Sequence, residues 1–183
     1  MPLHSVLSVL VAATLHIPQT VAEFTETVTA GSIVTDETVE NGAQTVQNGG
    51  KTEDITIEQG GGQFVYGTAK DTTINNGGRQ FVESGGSATG TTINNGGKQT
   101  VYNGSSVTGT TINNGGRQFV ESGGSATNTT IYQGGVQTVY SGGSATNTAI
   151  NAGGLMQNAG EDTGTTVKSG GVYELGRIVY DGR

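Results

Sequence analysis

The chain has 183 residues, of which 33 are glycine and four phenylalanine, with no tryptophan and no cysteine. So few large apolar side chains exclude an ordinary compact core and leave either disorder or a repeat architecture that buries small slices many times over. A formal net charge of -7, with eight Lys plus Arg spread singly, leaves no basic stripe for phosphates and argues against nucleic acid as a partner; the missing cysteine excludes disulfides and thiolate metal sites and suits a secreted chain.

The chain opens with a mostly apolar stretch, Ser5 to Leu15, followed by Pro18 and by Thr20-Val21-Ala22. This stretch is too short to span a membrane, but it has the length of a secretory signal's apolar region, with cleavage expected after Ala22. The absence of Lys or Arg ahead of it favours the other reading, a start that does not belong to the native chain. Residues 1–24 are therefore set apart as a signal-like or poorly ordered segment, and residues 25–183 are assigned to repeats.

Beyond that segment one unit keeps returning. Val39 leads Gln44-Thr45-Val46 and Ile57 leads Gln63-Phe64-Val65 in loose copies, and from Ile74 the period is a strict 19 residues, marked by Ile74, Ile93, Ile112, Ile131 and Ile150. Each of the first four of these isoleucines precedes a glycine pair and a Gln-x-Val triplet, from Gln80/Val82 to Gln137/Val139. Three of those four units add a second glycine pair ahead of Ser-Ala-Thr, and Val167 leads a last copy with Gly170-Gly171-Val172. About eight units result, regular over 74–166, with slips between 57 and 74 and between 150 and 167 where a loop is expected to be shortened.

Within a unit three short strands are predicted, Thr-Thr-Ile, Arg-Gln-Phe-Val-Glu and Ser-Ala-Thr, since these residues favour extended backbone and helical spacing is absent. Asn75-Asn76-Gly77-Gly78 and its copies supply the positive φ angles that sharp corners need. The fold class that follows is all-β, a parallel β-helix of about eight coils. Stacking sets Ile on Ile, Val on Val and Ala on Ala at ~4.8 Å, in a rod of roughly 35–40 Å. Strand alternation turns Gln80 inward with Val82, where an amide is tolerable only if it pairs with the glutamines above and below, so a buried amide ladder is expected from Gln63 to Gln137. Arg79, Phe81 and Glu83 then face outward.

The outward columns carry the variation that a binding surface would use. One runs Phe81, Thr100, Phe119, Thr138; a second runs Glu83, Tyr102, Glu121, Tyr140; a third stacks Arg79, Lys98 and Arg117. Arg79, Glu83, Lys98, Tyr102, Arg117, Glu121 and Tyr140 are the candidates for self-association, because cations interleaved with carboxylates make a two-sign surface able to pair with a copy of itself turned around. Each has a plainer reading as well. The tyrosines could be cross-coil packing over the valine core, and the charges a solubilising face with Glu83 and Glu121 paired to Arg79 and Arg117.

Parallel β-helices also carry polysaccharide-cleaving enzymes, which need clustered carboxylates or a basic residue in a groove. Glu83 and Glu121 stand two coils apart, roughly 10 Å, with Tyr102 between, so an enzyme is the least favoured class and no catalytic residue is assigned. Asp36, Asp54, Asp71, Asp162 and Asp181 are read as sharing no repeat phase, and no glycine pair is followed by Gly-x-Asp. Calcium is accordingly set aside, and no metal or cofactor is expected. His4 and His16 both lie in the N-terminal segment, while Asn103-Gly104-Ser105 and Asn128-Thr129-Thr130, which match an N-glycosylation pattern, are read as turns.

The pattern Ile/Val-Asn-x-Gly-Gly-x-Gln-x-Val-x-x-Gly-Gly-x-Ala-Thr, as in Ile112 to Thr127, resembles the repeats of the AIDA-I, TibA and Antigen 43 group of self-associating autotransporter adhesins, over about residues 28–177. The resemblance implies a passenger domain secreted through the outer membrane to the bacterial cell surface and folded as a right-handed parallel β-helix. It implies cell adhesion, autoaggregation and biofilm formation through outer side-chain ladders, with partners that are the protein itself on other cells and host surface receptors or glycans. Heptose on serine and threonine, added by a heptosyltransferase, is a further implication. The matching acceptors are Ser87, Thr89, Ser105, Ser106, Thr108, Ser125, Thr127, Ser144 and Thr146, and an O-glycosylated carrier scaffold is the alternative function. Members of the group end in a long membrane β-barrel; alternating lipid-facing strands are not seen after Val167, so the chain is expected to be a fragment, an isolated passenger piece or a degenerate gene product.

Overall fold

Each unit lays down three extended pieces and turns between them on glycine or asparagine, so successive units come to rest side by side. The computed structural model describes residues 24–176, and over that span the chain winds into a parallel β-solenoid with three sheets of nine, eight and eight strands. Sheet A collects the Gln-x-Val pieces, such as Arg79–Val82 and Lys98–Val101, sheet B the Ser-Ala-Thr pieces, such as Ser87–Thr89, and sheet C the two-residue pieces, such as Thr92–Ile93. Like lies beside like: Gln80 neighbours Gln99, Ala88 neighbours Val107, and Ile93 neighbours Ile112. The sheet A strand ends at Val82, one residue sooner than expected, although the Glu83 N–H still donates to Val65 O at 2.9 Å. The first strand among the described residues is Phe24–Val28. The signal-like reading of the segment before it lies outside the described residues.

Both expected slips have one physical origin. Val65 and Ala69 pair with Val82 and Ala88, so Tyr66-Gly67-Thr68 crosses the corner from sheet A to sheet B that Glu83 to Ser87 crosses in a full coil. Asn158 and Asp162 pair with Val139 and Ala145 through the same shortened corner. Only glycine fits this tight passage. A Cβ on Gly67 would sit 2.4 Å from the carbonyl oxygens of Gln47 and Gly50, and one on Gly160 would sit 2.3 Å from Gly143 O.

The core is one side chain deep in each coil. Ile57, Ile74, Ile93, Ile112, Ile131 and Ile150 of sheet C and Val65 to Val139 of sheet A are fully buried, with Ala69, Ala88, Val107, Ala126 and Ala145 closing the third side. Burial contributes about 1.5–3 kcal/mol for each isoleucine, repeated once per coil.

Through this core runs the expected amide ladder. Gln63, Gln80, Gln99 and Gln118 donate from Nε2 to Oε1 of the glutamine one coil earlier at 2.7 Å, and Gln137 does so at 2.8 Å. All are fully buried, as is Gln44, where the row starts. A second row was not foreseen. Thr91, Thr110, Thr129 and Thr148, also buried, donate to the glutamine Oε1 of their own coil at 3.3, 3.3, 3.4 and 3.2 Å. The amide oxygens of Gln80, Gln99 and Gln118 thus each receive two donors, and among the described residues no buried side-chain polar atom lacks a partner. The signal was present as threonine at strict intervals two residues ahead of each isoleucine, hidden because threonine also reads simply as a strand former.

Since every amide points its N–H groups toward the N-terminal end, that end must supply acceptors. Gln44 Nε2 donates to Glu26 Oε2 at 2.6 Å and to Glu37 Oε2 at 3.1 Å. At the other end Met156 replaces the next glutamine, fully buried in register with Gln137. An outer asparagine row obeys the same rule: Asn113 donates to Asn94 and Asn94 to Asn75, each at 2.9 Å, and Asn75 donates to Glu58 Oε1 at 2.8 Å. At the inner cap, burial first, then the hydrogen bond and charge of Glu26, push the Glu37 carboxyl up to about 7, against the opposing hydrogen bond from Gln44.

Gln99→Met is expected to destabilise the fold by about 2–3 kcal/mol, because it strands the buried Gln118 Nε2 and the Thr110 hydroxyl together, whereas Gln137→Met, at the end of the row, strands only the Thr148 hydroxyl and should cost about 1 kcal/mol less. Urea unfolding midpoints of the two variants check the order. The Glu37 proton is held in the fold and lost near 4.5 in the unfolded chain, so its contribution is present at low pH and disappears as pH rises from 4.5 through about 7. The melting temperature should fall over that window, and Glu37→Gln should flatten the decline.

Candidate interaction surface on sheet A

Strand alternation that buries Gln80 and Val82 turns Arg79 and Phe81 outward, and parallel register carries the pattern from coil to coil. Arg79, Lys98 and Arg117 stand in one row that ends at Val136. Phe81, Thr100, Phe119 and Thr138 form the next row. Glu83, Tyr102, Glu121 and Tyr140 form a third just past the strand ends, held by N–H bonds to Val65, Val82, Val101 and Val120 oxygens at 2.9 to 3.0 Å. All seven residues expected to serve self-association therefore lie on one face, with the cation and carboxylate rows separated by four residues, about 13 Å of strand.

The rows differ in how they are held. Arg79, Lys98 and Arg117 are exposed, and like charges opposite one another on neighbouring strands destabilise a sheet. Their row gains from any anion brought against it. Tyr102 is half-buried between two carboxylates, and burial, then the charges of Glu83 and Glu121, push its phenol above the usual value. Tyr140 stacks on Phe119, centroids 6.5 Å apart and planes at 13°, which supports the packing reading for that ring. Phe64 and Phe81 stack more closely, at 4.9 Å and 18°.

With the fold and this face in view, comparison is informative. The family model described as adhesin of bacterial autotransporter system, probable stalk, matches residues 65–97, 93–135 and 116–171. The chain belongs to this family of autotransporter adhesins. A crystal structure of a TibC-catalysed, hyper-glycosylated TibA fragment, its residues 55–350, aligns at 39% identity and a TM-score of 0.57, covering 83% of this chain and 71% of that one. No curated protein matches. The adhesin chain is thus passenger repeat, the part of an autotransporter displayed at the cell surface.

The adhesin's expected sugar acceptors separate by exposure. Thr89, Ser106 and Thr108 are exposed, while Ser87, Ser125, Thr127, Ser144 and Thr146 are half-buried on sheet B. Ser105 is a correction. It is only 4% exposed and its hydroxyl donates to Tyr102 O at 2.7 Å, because it takes the inner corner position held by Gly86 and Gly124 in the flanking coils. Ser84, Ser122 and Ser141, each just ahead of a glycine pair, are exposed as well.

A second correction concerns aspartate. Asp36, Asp54 and Asp71 do share a phase: they hold one corner in three successive coils, with φ of 57, 56 and 51° and N–H bonds to Glu53, Lys70 and Thr89 oxygens. Their spacings of 18 and 17 residues are those of the short coils, in which Thr35 pairs with Glu53 and Glu53 with Lys70. Gly90, Gly109, Asn128 and Asn147 continue the same positive-φ corner, so the column answers to backbone geometry. Lys70 sits over it, paired with Glu53 and, at 3.4 Å, with Asp71. Among the described residues no group of three or more His, Asp or Glu could hold a metal.

Proposed function

We propose that this adhesin passenger mediates autoaggregation and biofilm formation by homotypic pairing of sheet A faces between cells. The observation that carries the reading is the exposed row Arg79, Lys98 and Arg117 set parallel to the row containing Glu83 and Glu121 on one rigid face. A copy turned about a two-fold axis brings cations against carboxylates at both rows at once, relieving the like-charge stacking within the cation row. Each pair is worth little alone in water, but identical contacts along a rod and across many rods on a cell add through multivalency. No pocket is required for this mode, and host surface receptors or glycans are further partners of the same face.

A second reading has its own support. The similar solved structure is of a hyper-glycosylated fragment, and this chain exposes serine and threonine along sheet B and its corners. In that reading a heptosyltransferase modifies Thr89, Ser106, Thr108 and their neighbours, and the solenoid acts as a carrier that presents the sugars.

Cells displaying the chain on an outer-membrane anchor are expected to settle, and serine at Arg79, Glu83, Arg117 and Glu121 together should slow settling severalfold at equal surface expression; unchanged settling removes these rows from the interface. After co-expression with a heptosyltransferase, intact mass should rise by heptose increments with Ser105 unmodified on peptide mapping. No added mass would end the carrier reading.

A further inference from the structure

Where the cation row of sheet A should begin, the side chain is missing. Gly62 pairs with Arg79 on one side and Ala43 on the other, so two coils carry nothing long at the position that three later coils fill with Arg or Lys. The result is a shallow cavity of about 350 Å³ floored by glycine backbone, with Phe64 and Phe81 as one wall and Arg79 at its C-terminal edge. That volume lies at the small end of ligand sites, roughly 300–1,000 Å³.

Most glycines of the floor are required by the fold, but Gly62 is not. Gly60 and Gly77 have φ of +75 and +79°, and a Cβ on Gly42 or Gly61 would lie 2.0 or 2.1 Å from a carbonyl oxygen of the coil before. At Gly62 a Cβ would meet nothing nearer than Phe64 Cε2 at 3.7 Å, an ordinary contact, and its φ is unexceptional. Glycine inside a strand costs stability, about 0.5–1 kcal/mol against alanine, and where the backbone does not demand it, it marks a place that something else approaches closely. The coil of Gly62 and the coil of Arg79 hold the stacked pair Phe64 and Phe81, both half-buried, whereas phenylalanine alternates with threonine further along this row.

We propose that this hollow binds one pyranose ring bearing a carboxylate, as in a hexuronic acid residue of an acidic polysaccharide. The aromatic wall takes the C–H face of the ring, the glycine floor lets the ring approach the backbone and hydrogen-bond to it, and the Arg79 guanidinium takes the carboxylate as a charge-assisted pair. Arg79 leads the row continued by Lys98 and Arg117, so the hollow opens beside the positive end of a protein that is otherwise net negative, and a neutral sugar forgoes that term. Arg79 is shared with the rows proposed for homotypic pairing, but Gly62 and Phe64 lie outside them, so a change at Gly62 that keeps Arg79 separates the two readings.

The test uses the full chain, nitrogen-15 labelled, titrated with methyl β-D-glucuronide, with methyl β-D-glucoside and sodium acetate as controls. The glucuronide should give saturable shifts at the amides of Gly60 to Gly62 and Arg79, at least tenfold tighter than either control. Gly62→Arg, which restores the pattern of the later coils, should abolish the shifts without lowering the melting temperature or slowing cell settling, and Phe81→Thr should weaken them tenfold or more. Glucuronide binding unchanged in Gly62→Arg, equal shifts from glucoside or acetate, or no saturable shift at these amides would each overturn the proposal.

Discussion

An amide sealed inside a core one coil thick can send its hydrogen bonds only along the rod, to the coil before and the coil after. That constraint orders everything else in this protein. A strand shifted by one residue would turn every glutamine out and every arginine in, and a shift by two would set glutamine against valine and strand several buried amides at once, each worth about 1–3 kcal/mol. The isoleucine and valine columns supply most of the driving force, but apolar contacts tolerate sliding; the amide and threonine rows do not. Register is therefore held by the polar rows and strength by the apolar ones.

The ladders also have a direction. Because the inner glutamines and the outer asparagines donate toward the N-terminal end, the unpaired donors at that end fall on carboxylates, Glu26 and Glu37 inside and Glu58 outside. At the other end of the asparagine column, after Tyr132 interrupts it, Lys168 donates to Asn151 Oδ1 at 2.8 Å. A solenoid built on parallel rows of dipoles meets the same capping problem as a helix, and this one solves it with acids where N–H groups emerge and an ammonium donor where a carbonyl does.

With the inward residues committed to register, the outward ones are free to vary, and the proposed interaction chemistry lies in the variation on sheet A. Parallel in-register stacking turns single residues into rows, so one arginine per unit becomes a line of charge and one missing side chain becomes a hollow two coils long. Both features are built from unremarkable residues whose effect comes from repetition or its interruption.

The period, the three strands per coil, the inward glutamines and the outward columns were all legible in the amino-acid sequence, because a translational repeat makes residue i the neighbour of residue i+19. Legibility failed where the period did. Asp36, Asp54 and Asp71 looked unrelated because their coils are 18 and 17 residues long, and only the pairing of Thr35 with Glu53 and of Glu53 with Lys70 puts them at one corner. Ser105 looked like an acceptor because composition does not tell an inner corner from an outer one. Gly62 looked like every other glycine until the space around its missing Cβ was known. Sequence alone thus determined which residues stack and which face they take, both consequences of periodicity and strand alternation. Tertiary structure alone decided which corners shorten, which polar groups are sealed and where a hollow opens, since these depend on distances between coils that no spacing along the chain encodes.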